Sequence, residues 1–135
     1  MATTESTTVA IGTIPRSRTI LSYCCATLLT YLGLVHEVVG SRLYPDGAAK
    51  LGGPLVWHSL GVGALLGGVL IMWCIGGGRR VAAVVIAAAF VLVTAGIMIW
   101  AAMVERDFHF FAFTGLLTAA VLIAAQARPA GAASR

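Results

Sequence analysis

Hydrophobic positions gather into four runs, approximately residues 20–40, 54–75, 81–102 and 108–126, separated by short polar or glycine-rich connections. Each run is about as long as the roughly 18 to 25 residues of helix that cross a hydrocarbon core. Within the second run, the stretch Leu55 to Ile75 is broken only by His58 and Ser59. The pattern predicts an all-α protein, a four-span transmembrane helical bundle occupying residues 19–126. Residues 1–18 and 127–135, with no sustained periodicity, are expected to be flexible tails.

Small residues mark the faces on which these helices should pack. In the first run, Ser22, Ala26, Thr30, Gly33 and Glu37 recur at three- and four-residue intervals, forming a small or polar stripe. In the second, Gly63–Gly67 and Ala64–Gly68 are overlapping small-xxx-small pairs that favour close helix contact. Trp57 and Trp73 are expected to mark opposite interfaces of the membrane. Pro54 suits an opening helical turn, and Gly76 to Gly78 suit a helix end. In the third run, Ala88, Ala95 and Ala102 and also Ala87, Thr94 and Ala101 recur every seven residues. The Thr94 hydroxyl is expected to bond a carbonyl one turn earlier. In the fourth, Ala112, Gly115, Ala119 and Gln126 follow one compact face. Arg16 and Arg18 resemble the basic front of a signal peptide. The apolar run behind them is too long, however, and no small-x-small cleavage site follows, so an uncleaved first span is expected.

Composition strengthens the membrane reading. The 135 residues have a mean hydropathy of +0.95 and only 10% charged side chains, more apolar surface than a soluble core of that size can hide. Nine basic and five acidic residues make the net charge +4. The basic residues are scattered around the spans and form no dense phosphate-binding surface, so nucleic acid is excluded as a partner. Their distribution predicts topology instead. Arg16, Arg18, Arg79, Arg80, Arg128 and Arg135 fall on one side of four spans, and Arg42, Lys50 and Arg106 on the other. The positive-inside rule then puts both termini in the cytoplasm of a multi-pass protein of the cell membrane, the inner membrane if the cell is bacterial. Cys24, Cys25 and Cys74 form no CxxC or metal-ligand spacing and are expected to be packing residues.

That topology groups the ionisable residues. His36 and Glu37 lie near the outer end of the first run, His58 near the outer end of the second, and His109 at the start of the fourth. A rise of about 1.5 Å per residue puts His36 and His58 each roughly 6 Å from the helix ends at Gly40 and Pro54, so the three histidines can share one membrane depth. Glu37 is expected to be protonated, paired or reached by water, because an isolated carboxylate in hydrocarbon is costly; His58, His109, Arg42 and Arg106 are its candidate partners. On regular α-helical geometry His36 points about 100° away from Glu37.

Three functions fit this set. An accessory or assembly subunit of a membrane complex needs compact helices, abundant small residues and little exposed domain. A proton-coupled transporter or channel would use Glu37, with His36, His58 and His109 as further polar or proton-carrying groups. A redox subunit would bind a transition metal or haem through His36, His58 and His109. No nucleotide-binding loop or nucleophile constellation is present to define an enzyme. Besides membrane lipid, the expected partner is another membrane protein or a second copy of the chain.

Overall fold

A computed structural model describes residues 16–40, 42, 46, 49, 53–104 and 110–127, with only the backbone of Val104, Phe110 and Phe111. The described chain is an all-α bundle. Helix α1 spans Arg16–Val35 and continues into a π-helical turn, His36–Gly40; α2 spans Pro54–Gly76, α3 Arg80–Val104 and α4 Phe110–Gln126. The helices pack as a ring in which α1 lies against α2 and α4, and α3 against the same two. The α1–α2 interface is the broadest.

Three stretches, Arg16–Gly40, Pro54–Gly76 and Arg80–Met103, are long and apolar enough to cross a membrane, whereas the apolar part of α4, Ala112–Gln126, is shorter. Burial follows the logic of a hydrocarbon solvent. Leu55, Val81, Leu92 and Met103 are more than 70% exposed, while Ser22 and Thr94 are almost completely buried. A soluble bundle would reverse that distribution. The hydroxyls of Ser22, Thr30 and Thr118 close on their own helices, as hydrocarbon favours. Ser22 Oγ donates to Arg18 O at 2.8 Å, Thr30 Oγ1 to Ala26 O at 3.0 Å, and Thr118 Oγ1 to Thr114 O at 2.7 Å.

Helix α2 begins with Pro54 in its first turn, preceded by Gly53 at φ +104°. Its end is closed by Gly78 at φ +70°, with Gly78 N–H donating to Ile75 O at 3.1 Å and Arg79 N–H to Cys74 O at 2.7 Å. Gly78 suits this reversal because a left-handed residue at a helix end favours glycine. The guanidinium of Arg79 lies 4.6 Å from the Trp73 ring centroid. Arg18 Nη1 donates to Ala127 O at 2.9 Å, which brings the start of α1 and the end of α4 to one end of the bundle. Cys25, Ala26, Leu29, Ile71, Ala87 and Leu122 belong to the main core towards that end. Trp57, Leu60 and Ala101 form a smaller one towards the other.

Three packing details differ from the sequence-based expectation. Trp57 is 3% exposed and fills the space beneath Gly40, whose Cβ, if present, would meet Trp57 Cζ2 at 3.1 Å; the ring is core, not an interface marker. The Thr94 hydroxyl is buried without a hydrogen-bond partner, so it does not close on the preceding turn. Of the two small pairs in α2, Ala64–Gly68 is buried, with Gly68 against α1, but a Cβ on Gly63 or Gly67 would meet nothing within 4 Å.

Candidate functional site at the π-helical turn

The site at the end of α1 is built around the π-helical turn His36–Gly40. The π turn places an extra residue in the helical circuit, re-aiming the side chains around it. His36 and Glu37, consecutive in that turn, both approach one point on α2. That point is Gly61. A Cβ there would collide with Glu37 Oε1 and lie 2.7 Å from His36 Cδ2, so the missing side chain of Gly61 is the room into which both groups fit.

His36 is 7% exposed. Its Nε2 lies 3.1 Å from the Trp57 carbonyl oxygen, and because a carbonyl only accepts, Nε2 carries the hydrogen. The imidazole also lies over the Trp57 ring, with centroids 4.2 Å apart and planes inclined by 30°. His36 thus ties α1 to the first turn of α2 by a hydrogen bond and a ring contact together.

Glu37 Oε2 lies 2.7 Å from His58 Nδ1, within charge-assisted hydrogen-bond range. The two groups occupy different surroundings: the His58 side chain is 57% exposed and that of Glu37 22%. The second carboxylate oxygen, Oε1, is buried against Gly61 without a hydrogen-bond partner. One proton can lie on either side of the Nδ1···Oε2 contact, as N–H donating to carboxylate or as a carboxylic O–H donating to imidazole.

The structure brings together two of the four sequence-predicted residues, Glu37 and His58, and sets His36 beside them in a different bond. His109 lies outside the described residues, as do Glu105, Arg106 and Asp107. Among the described residues, no group of three or more His, Cys, Asp or Glu is placed to hold a metal. The pair offers two donor groups, and His36 Nε2 is already committed to a backbone carbonyl. The cysteines form no second centre of this kind: Cys24 is exposed, while Cys25 and Cys74 are unoxidised members of the main core.

Gly61 and Trp57 were the residues that histidine and carboxylate spacing could not reveal. The available signal was positional. Gly61 follows His58 by three residues, one turn along the same face of α2. Below the site, Gly33 contacts the α2 backbone at Gly61 and Leu65, and Leu29, Ile71, Ala87, Ala119 and Leu122 fill the centre of the bundle. Another buried polar contact lies at the far end, where Gln126 Nε2 donates to Ser22 Oγ at 2.7 Å. Comparison of the chain with protein-family models, with curated proteins and with solved structures gives no match in any of the three.

Proposed function

We propose that this chain is a small integral subunit of a larger membrane assembly, to which it contributes the protonatable Glu37–His58 pair. The observation that carries this reading is the apolar filling beneath the pair. Leu29, Ile71 and Leu122 are each at most 1% exposed and occupy the middle of the bundle, so a proton accepted by Glu37 meets hydrocarbon, not a relay, further inside. A chain with a proton-exchanging mouth and a packed interior suits a component that passes its protonation state to a neighbour. In this reading four spans cross the cell membrane, both termini face the cytoplasm, and the pair lies near the opposite surface. The membrane is the inner one if the cell is bacterial.

Proton-coupled transport is the second reading, and the pair itself supports it. The histidine-bound metal or haem reading draws less support, because His36 is engaged with Trp57 and only the Glu37–His58 pair presents donors together. Mild extraction from native membranes should recover the chain with one stoichiometric membrane partner, and the purified chain in proteoliposomes should carry no proton-driven flux. Proton-dependent flux by the purified chain, abolished by Glu37→Gln with folding intact, would replace the subunit reading with the transporter. A metal or a haem absorption band retained by the purified protein would replace it with the redox reading.

A further inference from the structure

We infer that the membrane-facing seam between the start of α1 and the end of α2 binds an anionic phospholipid. The Arg16 and Arg79 guanidiniums and the Tyr23 hydroxyl hold its phosphate, and Ile20, Val69 and Trp73 lie along its chains. The site is at the opposite end of the bundle from the Glu37–His58 pair and does not depend on it. Tyr23 Oη reaches α2 at Gly76, where a Cβ, if present, would lie 3.1 Å away. Gly76 is the last residue of α2 and follows Trp73 by three residues, so the hydroxyl sits within a turn of Trp73. The Arg79 guanidinium lies over the Trp73 ring, 4.6 Å from its centroid. Arg16 precedes Tyr23 by seven residues, two turns nearer the helix end on the same face. One turn deeper, Thr27 Oγ1 donates to Met72 Sδ at 3.6 Å, an exposed contact that closes the floor of the seam.

Charge and exposure together decide the chemistry of the occupant. Arg16, Arg79 and Arg80 are exposed, and none of them pairs with a carboxylate among the described residues. The described carboxylates, Glu37 and Asp46, lie in the π-helical turn at the other end of α1 and in the connection after it. Stacking on Trp73 leaves the N–H groups at the edge of the Arg79 guanidinium able to donate. The Tyr23 hydroxyl makes no hydrogen bond among the described residues. Two cations and a phenol donor at the membrane surface match a phosphate diester, and their uncompensated charge selects one with no ammonium group beside it. Arg18 stands apart from the seam, since its Nη1 donates to Ala127 O on the α4 side. The apolar half of the site separates a lipid from a water-soluble phosphate. Trp73 is 61% exposed, Ile20 55% and Val69 46%, and they continue from the arginines into the membrane. A soluble anion uses the arginines alone, whereas one lipid of the same leaflet covers both halves.

The test uses the full-length protein with isotopically labelled tryptophan in phosphatidylcholine nanodiscs containing increasing shares of phosphatidylglycerol. The Trp73 indole signal should shift saturably with that share, while the signal of the buried Trp57 at the other end stays fixed and reports an intact fold. Arg79→Gln should raise the share needed for half-saturation about fivefold, as expected for one basic residue at a membrane surface. Tyr23→Phe, which keeps the ring against Gly76, should raise it about threefold through one lost hydrogen bond. Arg18→Gln removes the same charge from the same end but not from the seam, and should change it by less than about twofold. Glycerol phosphate in the buffer should neither shift Trp73 nor displace the lipid. A shift that rises without saturation, or equal losses for Arg18→Gln and Arg79→Gln, would reduce the site to general attraction between a basic surface and an acidic membrane and overturn the proposal. A half-saturation point unmoved by Tyr23→Phe with the Trp57 signal intact, or a Trp73 shift reproduced by glycerol phosphate alone, would also overturn it.

Discussion

Helix α2 carries two small-residue faces with the same sequence grammar and opposite fates. On one, Gly61, Ala64 and Gly68 are buried, with both glycines against α1. A Cβ at Gly68 would collide with Thr30 Oγ1 and lie 2.6 Å from Ala26 O. On the other, Gly63 and Gly67 face open space beside α3. Close approach of backbones is therefore not a property of the small-xxx-small spacing itself. It requires a partner with a matching recess, and Gly33 of α1 provides one: a Cβ on Gly33 would collide with Leu65 N and lie 2.5 Å from Gly61 O. Glycine answers glycine across α1 and α2, whereas α3 offers Phe90 and Val93 to Gly63 and Gly67.

Breaking the packed face should have the largest effect. Gly33→Ala and Gly68→Ala place a methyl group against backbone atoms that cannot rotate away, so α1 and α2 must separate. Each is expected to cost about 3 kcal/mol or more, the upper end of overpacking in a dense interior, measured by reversible unfolding in bicelles. Gly61→Ala differs in kind, because its new methyl meets the Glu37 and His36 side chains. It should disrupt the pair first, with isotope-edited infrared spectra of the Glu37 carboxyl group changing even where the helices remain associated.

The pair itself comes next in size. His58→Ala leaves Glu37 without its 2.7 Å partner, but both side chains retain some exposure, 57% for His58 and 22% for Glu37. The loss should therefore be about 1 kcal/mol, well below that for breaking a fully buried ion pair. His58→Gln, whose amide can still donate to the carboxylate, should lose less in the same unfolding assay.

Much of this architecture was legible from residue type and spacing. Long apolar runs identify the helices, and the Ser22, Ala26 and Gly33 stripe identifies the buried side of α1 because small residues recur once per turn. The His36–Glu37 geometry was not legible. Side chains one residue apart need not converge, and only the position of α2 shows that both reach Gly61. The role of Trp57 was hidden for a related reason: an aromatic residue near a helix end reads as an interface anchor until Gly40 and His36 are seen to make a pocket for it. Choosing between the two small faces of α2 also needed the tertiary structure, since only the position of α1 separates Gly68 from Gly67.

The open face should respond with the opposite sign. Gly63→Ala and Gly67→Ala add a methyl group that meets nothing within 4 Å and remove the backbone freedom of a mid-helix glycine. Each is expected to stabilise the protein by about 0.5–1 kcal/mol in the assay that shows loss for Gly33→Ala. Equal destabilisation on both faces would show that α2 is packed on both sides.

Thr94→Val should have the smallest effect and sharpens the contrast most. Valine keeps the branched shape of threonine and removes a hydroxyl that is buried without an acceptor. Folding leaves unpaired a hydroxyl that the separated helix bonds to a carbonyl one turn back, so valine should stabilise the protein. Rotation of the Thr94 side chain onto that carbonyl within the fold limits the gain to about 0.5 kcal/mol, below the roughly 1–3 kcal/mol for a hydroxyl left fully unpaired. Thr94→Ser, which keeps the hydroxyl but loses a methyl contact in the α3 stripe, should instead destabilise it slightly. If valine costs more than serine, the Thr94 hydroxyl has an acceptor within the folded chain and is not an unpaired group in the α3 stripe.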